Sequence, residues 1–74
     1  MTKDDFLFLI ETQTIREFTY KNEIYRLSYD KTPAGKTIIN FGRLYEETKY
    51  DSVGELLNNA KIQNHFFKDM LDIF

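Results

Sequence analysis

Hydrophobic and polar residues alternate through the middle of the chain, from Thr14 to Leu44, and change to helical spacing on either side. Thr14–Lys21 and Ile24–Asp30 read as two strands with Asn22-Glu23 between them. A two-residue hairpin loop sets the register. It places Tyr20 opposite Tyr25, Phe18 opposite Leu27 and Arg16 opposite Tyr29. Side chains alternate between the two faces of a strand. Phe18, Tyr20, Tyr25, Leu27 and Tyr29 therefore share one face, and the other is mostly polar. Glu23 is the weak point, because a tight turn wants positive φ at both centre residues and Glu is disfavoured there. A four-residue loop would keep the same faces. Pro33 and Gly35 mark the next loop, over Thr32–Lys36. It brings Ile39 opposite Tyr29, Phe41 opposite Leu27 and Arg43 opposite Tyr25, while Asn40 and Gly42 fall on the polar face. Tyr45 keeps the apolar phase if that strand continues. The result is a three-stranded antiparallel meander with one buried face.

Residues Thr2–Gln13 read as a helix. Thr2 is the candidate N-cap, with Asp5 in the capping-box position. Asp4 and Asp5 suit the positive end of the helix dipole. Phe6, Leu9 and Ile10 share a face, and Leu7 and Phe8 lie outside it. After a polar connector over Tyr45–Tyr50, the run Ser52-Val53-Gly54-Glu55 is a capping box, with Asp51 as an alternative cap. Val53, Leu56, Leu57 and Ala60 line one face of the helix that follows. Asn58 and Asn59 weaken it near Ala60 or Lys61. Ile62 stands alone among polar neighbours and is expected in the core. Asn64 is then the expected cap of a last helix through Phe74, with Phe66, Phe67, Met70, Leu71 and Phe74 at helical spacing. The expected architecture is α+β: an N-terminal helix, a three-stranded antiparallel meander and two C-terminal helices packed on one face of the sheet.

A chain of 74 residues has room for one domain, residues 1–74. It has no cysteine, which removes disulfides and thiolate metal sites and fits a cytoplasmic setting. Seven Phe and five Tyr supply the bulk of the core in place of Trp. The first helix carries Asp4 and Asp5 where a signal peptide needs positive charge, so neither a signal nor a membrane span is expected. The net charge of −2 is unevenly spread. Basic residues predominate from Arg16 to Arg43 and acidic ones from Glu46 to Asp72.

Chemistry is sparse. His65 is the only histidine; its nearest candidate partners in sequence are Asn64, Lys68 and Asp69, of which Asp69, four residues on, would be in reach on a helix. One His among scattered carboxylates does not make a metal site. Gly35-Lys36-Thr37 lacks the opening glycine and the strand-to-helix context of a phosphate loop. No catalytic residue, cofactor or metal ligand is assigned, and an enzyme is not expected. The polar sheet face offers Lys21, Arg26 and Lys36 to phosphate, without aromatics on which bases could stack. The apolar excess lies at the two ends of the chain, in Leu7, Phe8, Ile73 and Phe74. A helix packed on a sheet needs one apolar stripe, so part of this set is expected to face a partner, either a second copy in a homodimer or a foreign protein.

The segments Glu17-Phe18-Thr19-Tyr20-Lys21-Asn22-Glu23-Ile24-Tyr25 and Asp51 to Ile62 resemble short uncharacterised proteins of Gram-positive bacteria and their mobile elements. The resemblance is one of pattern and carries over no functional residue. It implies an accessory protein of a phage or plasmid, such as a regulator, an inhibitor or a host-interaction module. The leading expectation is a non-enzymatic protein-interaction module. The alternative is a nucleic-acid-associated regulator that uses the basic polar face of the sheet.

Overall fold

The computed structural model describes all 74 residues, in the order α1 (Lys3–Glu11), β1 (Arg16–Tyr20), β2 (Glu23–Lys31), β3 (Thr37–Arg43), β4 (Thr48–Tyr50), α2 (Val53–Asn59), β5 (Lys61–Ile62) and β6 (His65–Phe66). Two 3-10 turns, Phe67–Asp69 and Leu71–Ile73, close the chain. The main sheet is four-stranded and antiparallel, in the order β1-β2-β3-β4, and β5 with β6 forms a separate small ribbon. Phe18, Tyr25, Leu27, Ile39, Phe41 and Tyr50 bury one sheet face under the helix α2, the helix α1 and the final turns.

Both helix starts follow the capping logic of the sequence. The Thr2 hydroxyl accepts from the Asp5 amide at 3.1 Å, and the Asp5 carboxylate accepts from the Thr2 amide at 3.0 Å. These two bonds hold the Asp5 carboxyl below its ordinary pKa. At α2 the Ser52 hydroxyl accepts from the Glu55 amide at 3.1 Å, but the Glu55 carboxylate reaches one residue further, to the Asp51 amide at 3.3 Å. The C-terminal end of α1 is tied to the sheet by Tyr29. Its hydroxyl lies 3.0 Å from the Leu9 carbonyl and 3.1 Å from that of Thr14. Burial pushes the Tyr29 phenol up to about 12.

The β2–β3 register agrees with the alternation pattern: Tyr25 with Arg43, Leu27 with Phe41 and Tyr29 with Ile39. The β1–β2 register differs from the expected one by two residues. Tyr20 pairs with Glu23, Phe18 with Tyr25 and Arg16 with Leu27. The turn residues are Lys21 and Asn22, at φ 47° and 66°, rather than Asn22 and Glu23. Glu23 thereby escapes a left-handed conformation, which Asn tolerates better. In β2 its carboxylate pairs with Arg43 and accepts from the Tyr25 hydroxyl at 3.4 Å. A shift of two leaves every side chain on its expected face.

Two further expectations are corrected. The sheet has a fourth strand, because the chain turns back after β3 and pairs Ile39 with Tyr50 and Phe41 with Thr48. Tyr45 leaves the apolar phase at φ 71° and is 90% exposed. Gly42 makes the return possible: a Cβ there would sit 3.2 Å from the Glu47 Cα. The second correction concerns the C-terminus, where only one helix, α2, follows the sheet. Asn64 does not cap a helix. Gln63 and Asn64, at φ 49° and 72°, reverse the chain between β5 and β6. Ile62 and Phe67 are fully buried, and Met70 and Leu71 reach the core from the 3-10 turns.

Two measurements check this account. Asn22→Gly is expected to raise the melting temperature, because glycine relieves a left-handed residue at a cost of about 1 kcal/mol or less in chain entropy. Glu23→Gly is expected to lower it by removing the Arg43 pair and weakening a strand; the opposite order would restore the Asn22-Glu23 turn. Alkaline unfolding checks Tyr29. The folded state binds the phenolic proton more tightly than the unfolded chain, so stability is full below pH 10 and falls as pH rises towards about 12. Tyr29→Phe should flatten that fall.

Candidate functional site

No His, Cys, Asp or Glu cluster of three comes together in the fold. His65 lies in β6 opposite Ile62, so the expected helical contact with Asp69 does not form, and no ion pair joins the two. One depression of about 400 Å³ opens between the start of α1, α2 and the first 3-10 turn. Lys3, Asn58, Lys68 and Asp69 line it together with Leu57 and Leu71. It contains no nucleophile–base pair. No helix is long and apolar enough to cross a membrane.

The four apolar residues at the chain ends separate into two kinds. Phe8 is 63% exposed because it lies opposite Phe6, which is fully buried, and Ile73 is 56% exposed. Leu7 is half-buried. Phe74 is also half-buried and docks on its own sheet, with its ring 5.2 Å from that of Phe18 and 6.4 Å from that of Tyr20. The Met1 ammonium donates to the Leu71 and Phe74 carbonyls at 2.8 and 2.6 Å, joining the two ends of the chain. Ile15, at the entry to β1, is a further exposed apolar residue that the periodicity did not single out.

Lys21, Arg26 and Lys36 do not converge. Lys21 sits in the β1–β2 turn, and its ammonium lies 5.4 Å from the Tyr20 ring. Lys36 belongs to the loop at the other end of β2 and pairs with Asp51 at 3.6 Å. Arg26 lies between them, half-buried, with its Nε enclosed and unpartnered.

The outer sheet face instead carries a polar network that residue spacing did not reveal. Asn40 is only 7% exposed. Its amide donates to the Asp30 carboxylate at 3.0 Å and to the Ser28 hydroxyl at 3.3 Å. Lys49 donates to Asp30 at 2.7 Å and to the Asn40 carbonyl at 3.1 Å. These groups become neighbours through register, since Ser28, Asn40 and Lys49 lie side by side across β2, β3 and β4. The hydrogen bond from Lys49 holds the Asp30 carboxyl below its usual range, with help from Asn40. The arrangement pins β4 to β3 and offers no group poised for proton transfer.

Set against protein-family models, curated proteins and solved structures, the chain matches none of them.

The Asp30 contact has a pH signature. The folded-state pKa is depressed, so its contribution is present above the ordinary carboxyl value of 3.8 and is lost as pH falls through the lower folded value. Carboxyl carbon shifts followed by NMR should show Asp30 titrating below the ordinary carboxyl value of 3.8. Lys49→Met should bring Asp30 back towards 3.8, and an unchanged Asp30 midpoint in that variant would contradict the assigned cause.

Proposed function

We propose that this chain is a non-enzymatic protein-interaction module, of the accessory or inhibitor kind that the resemblance to proteins of bacterial mobile elements implies, and that it acts in the cytoplasm. The observation that carries the reading is Phe8. Its helix is capped at the N-terminus, tied down by Tyr29 and anchored by a fully buried Phe6. The core is therefore complete without Phe8, which is left 63% exposed on the opposite side of α1. A large aromatic on a rigid helix is the kind of side chain that supplies binding energy when a partner covers it. Ile73 adds a second exposed apolar residue. The lack of cysteine supports the cytoplasmic placement.

The regulator reading, in which the polar sheet face binds nucleic acid, rests on Lys21 and Arg26, since Lys36 already has a carboxylate partner. Salt-sensitive retention on DNA or RNA is its requirement.

Phe8→Asp tests the leading reading. At an exposed site it should change stability by about 0.5 kcal/mol or less. Immobilised wild-type chain should retain a discrete protein from a bacterial lysate at near-stoichiometric amount, and the Phe8→Asp chain should lose it. Retention of the same proteins by both would contradict the role given to Phe8.

A further inference from the structure

The two edges of the main sheet are unlike. β4 is three residues long, carries Lys49, and runs directly into α2. Short, lysine-bearing edges resist pairing with other chains. β1 is the other edge, with five residues, Arg-Glu-Phe-Thr-Tyr, and no proline; its one charge on the core face is Arg16, at the first position of the strand.

The hydrogen-bonding direction of that edge follows from its neighbours. The Leu44 amide donates to the Ile24 carbonyl at 2.9 Å, so the even-numbered residues of β2 point their backbone groups to β3. The odd-numbered ones point to β1, where Glu23, Tyr25 and Leu27 face Tyr20, Phe18 and Arg16. In an antiparallel pair the bonding residues alternate with non-bonding ones. Glu17 and Thr19 therefore turn their N–H and C=O groups away from the sheet. No backbone or side-chain group of the chain bonds to them there. Both residues are exposed.

We propose that β1 pairs antiparallel with β1 of a second copy, about a two-fold axis at Phe18, to give a continuous sheet across a dimer. This deepens the interaction-module reading by naming a partner, and it does not use the Phe8 surface. The register follows from charge and hydrogen-bond direction. Centring the axis on Phe18 makes Glu17 and Thr19 mutually hydrogen-bonded partners across the junction, twice over. Each Glu17 carboxylate then faces a Thr19 hydroxyl, and each Arg16 faces a Tyr20 ring. Arg16 and Lys21 have no carboxylate partner in the chain and already lie over aromatic rings, Arg16 at 5.1 Å from Phe18 and Lys21 at 5.4 Å from Tyr20. A second guest ring at Arg16 extends that arrangement. Centring on Glu17 instead would set two carboxylates opposite each other, which is unfavourable. Centring on Thr19 would need Lys21 to extend the strand, but Lys21 is held in the turn at φ 47°. An edge strand accepts only an extended chain, and this one is self-complementary in a single register.

Hydrogen exchange and sedimentation on the intact wild-type chain decide the matter. Across micromolar to millimolar concentration the mass should rise from 8.9 kDa towards about twice that value. Over the same range the Glu17 and Thr19 amides should gain roughly tenfold or more in protection, while Phe18 and Tyr20 stay as they were. Thr19→Pro removes an amide that the monomer does not use, and should stay monomeric with a cooperative melt. If that variant fails to fold, the wild-type exchange pattern still decides. A mass that stays monomeric at millimolar concentration overturns the proposal. So does a dimer whose Glu17 and Thr19 amides remain unprotected. A dimer of that second kind that Phe8→Asp dissociates would leave the interaction-module reading standing and remove only the strand pairing.

Discussion

Phe67 joins every layer of this protein. Its ring lies 4.4 Å from Phe41 in β3, 5.6 Å from Phe18 in β1, 5.1 Å from Phe6 in α1 and 6.0 Å from Phe74 at the chain end. A chain of 74 residues without cysteine has a thin stability margin. It closes its core with edge-to-face and tilted aromatic contacts, each adding about 0.5–1.5 kcal/mol beyond area burial. The final segment has little regular structure of its own, yet its buried residues hold the first helix to the sheet.

That organisation explains how the surface is divided. Because α1, α2 and the terminal turns all cover the same sheet face, the outer face must satisfy its polar groups by itself. It does so through Ser28, Asp30, Asn40 and Lys49 on the β4 side. On the β1 side no such network forms. Arg26 keeps an enclosed, unpartnered Nε, and the backbone of Glu17 and Thr19 is left free. The exposed Phe8 arises from the same economy of layers: α1 needs Phe6, Leu9 and Ile10 to seal the core, and its remaining aromatic has nothing to pack on.

The legible parts of the fold were those with two independent signals. The β2–β3 register combines strict alternation with a Pro–Gly loop, and both helix starts combine a hydroxyl cap with a carboxylate three residues on. The β1–β2 register was ambiguous because a slip of two preserves every face, and only the conformational demand on Glu23 against Lys21 separates the choices. The last segment misled because Phe67, Met70, Leu71 and Phe74 sit at a spacing that a pair of 3-10 turns meets as well as an α-helix. What distinguishes the two is the left-handed Gln63-Asn64 turn, which reverses the chain before a helix can start. β4 is too short for alternation to register. Of the candidate surface, exposure of Phe8 could be anticipated from helical phase, whereas the free edge of β1 depends on which way backbone groups point, and side-chain identity does not encode that.

Neighbouring phenylalanines give the most direct test of Phe67 as the common contact. Phe66 is exposed on the small ribbon and Phe67 is fully buried, although a helix over this segment would set both among the apolar positions. Urea unfolding of Phe66→Ala and Phe67→Ala should therefore diverge. Truncating a buried Phe typically costs about 3–5 kcal/mol, against a total of roughly 5 kcal/mol for a domain this small. Phe67→Ala is predicted to lose most or all of its cooperative transition, and Phe66→Ala to keep a midpoint close to wild type. Equal losses for the two variants, or a cooperative transition near the wild-type midpoint in Phe67→Ala, would contradict the account.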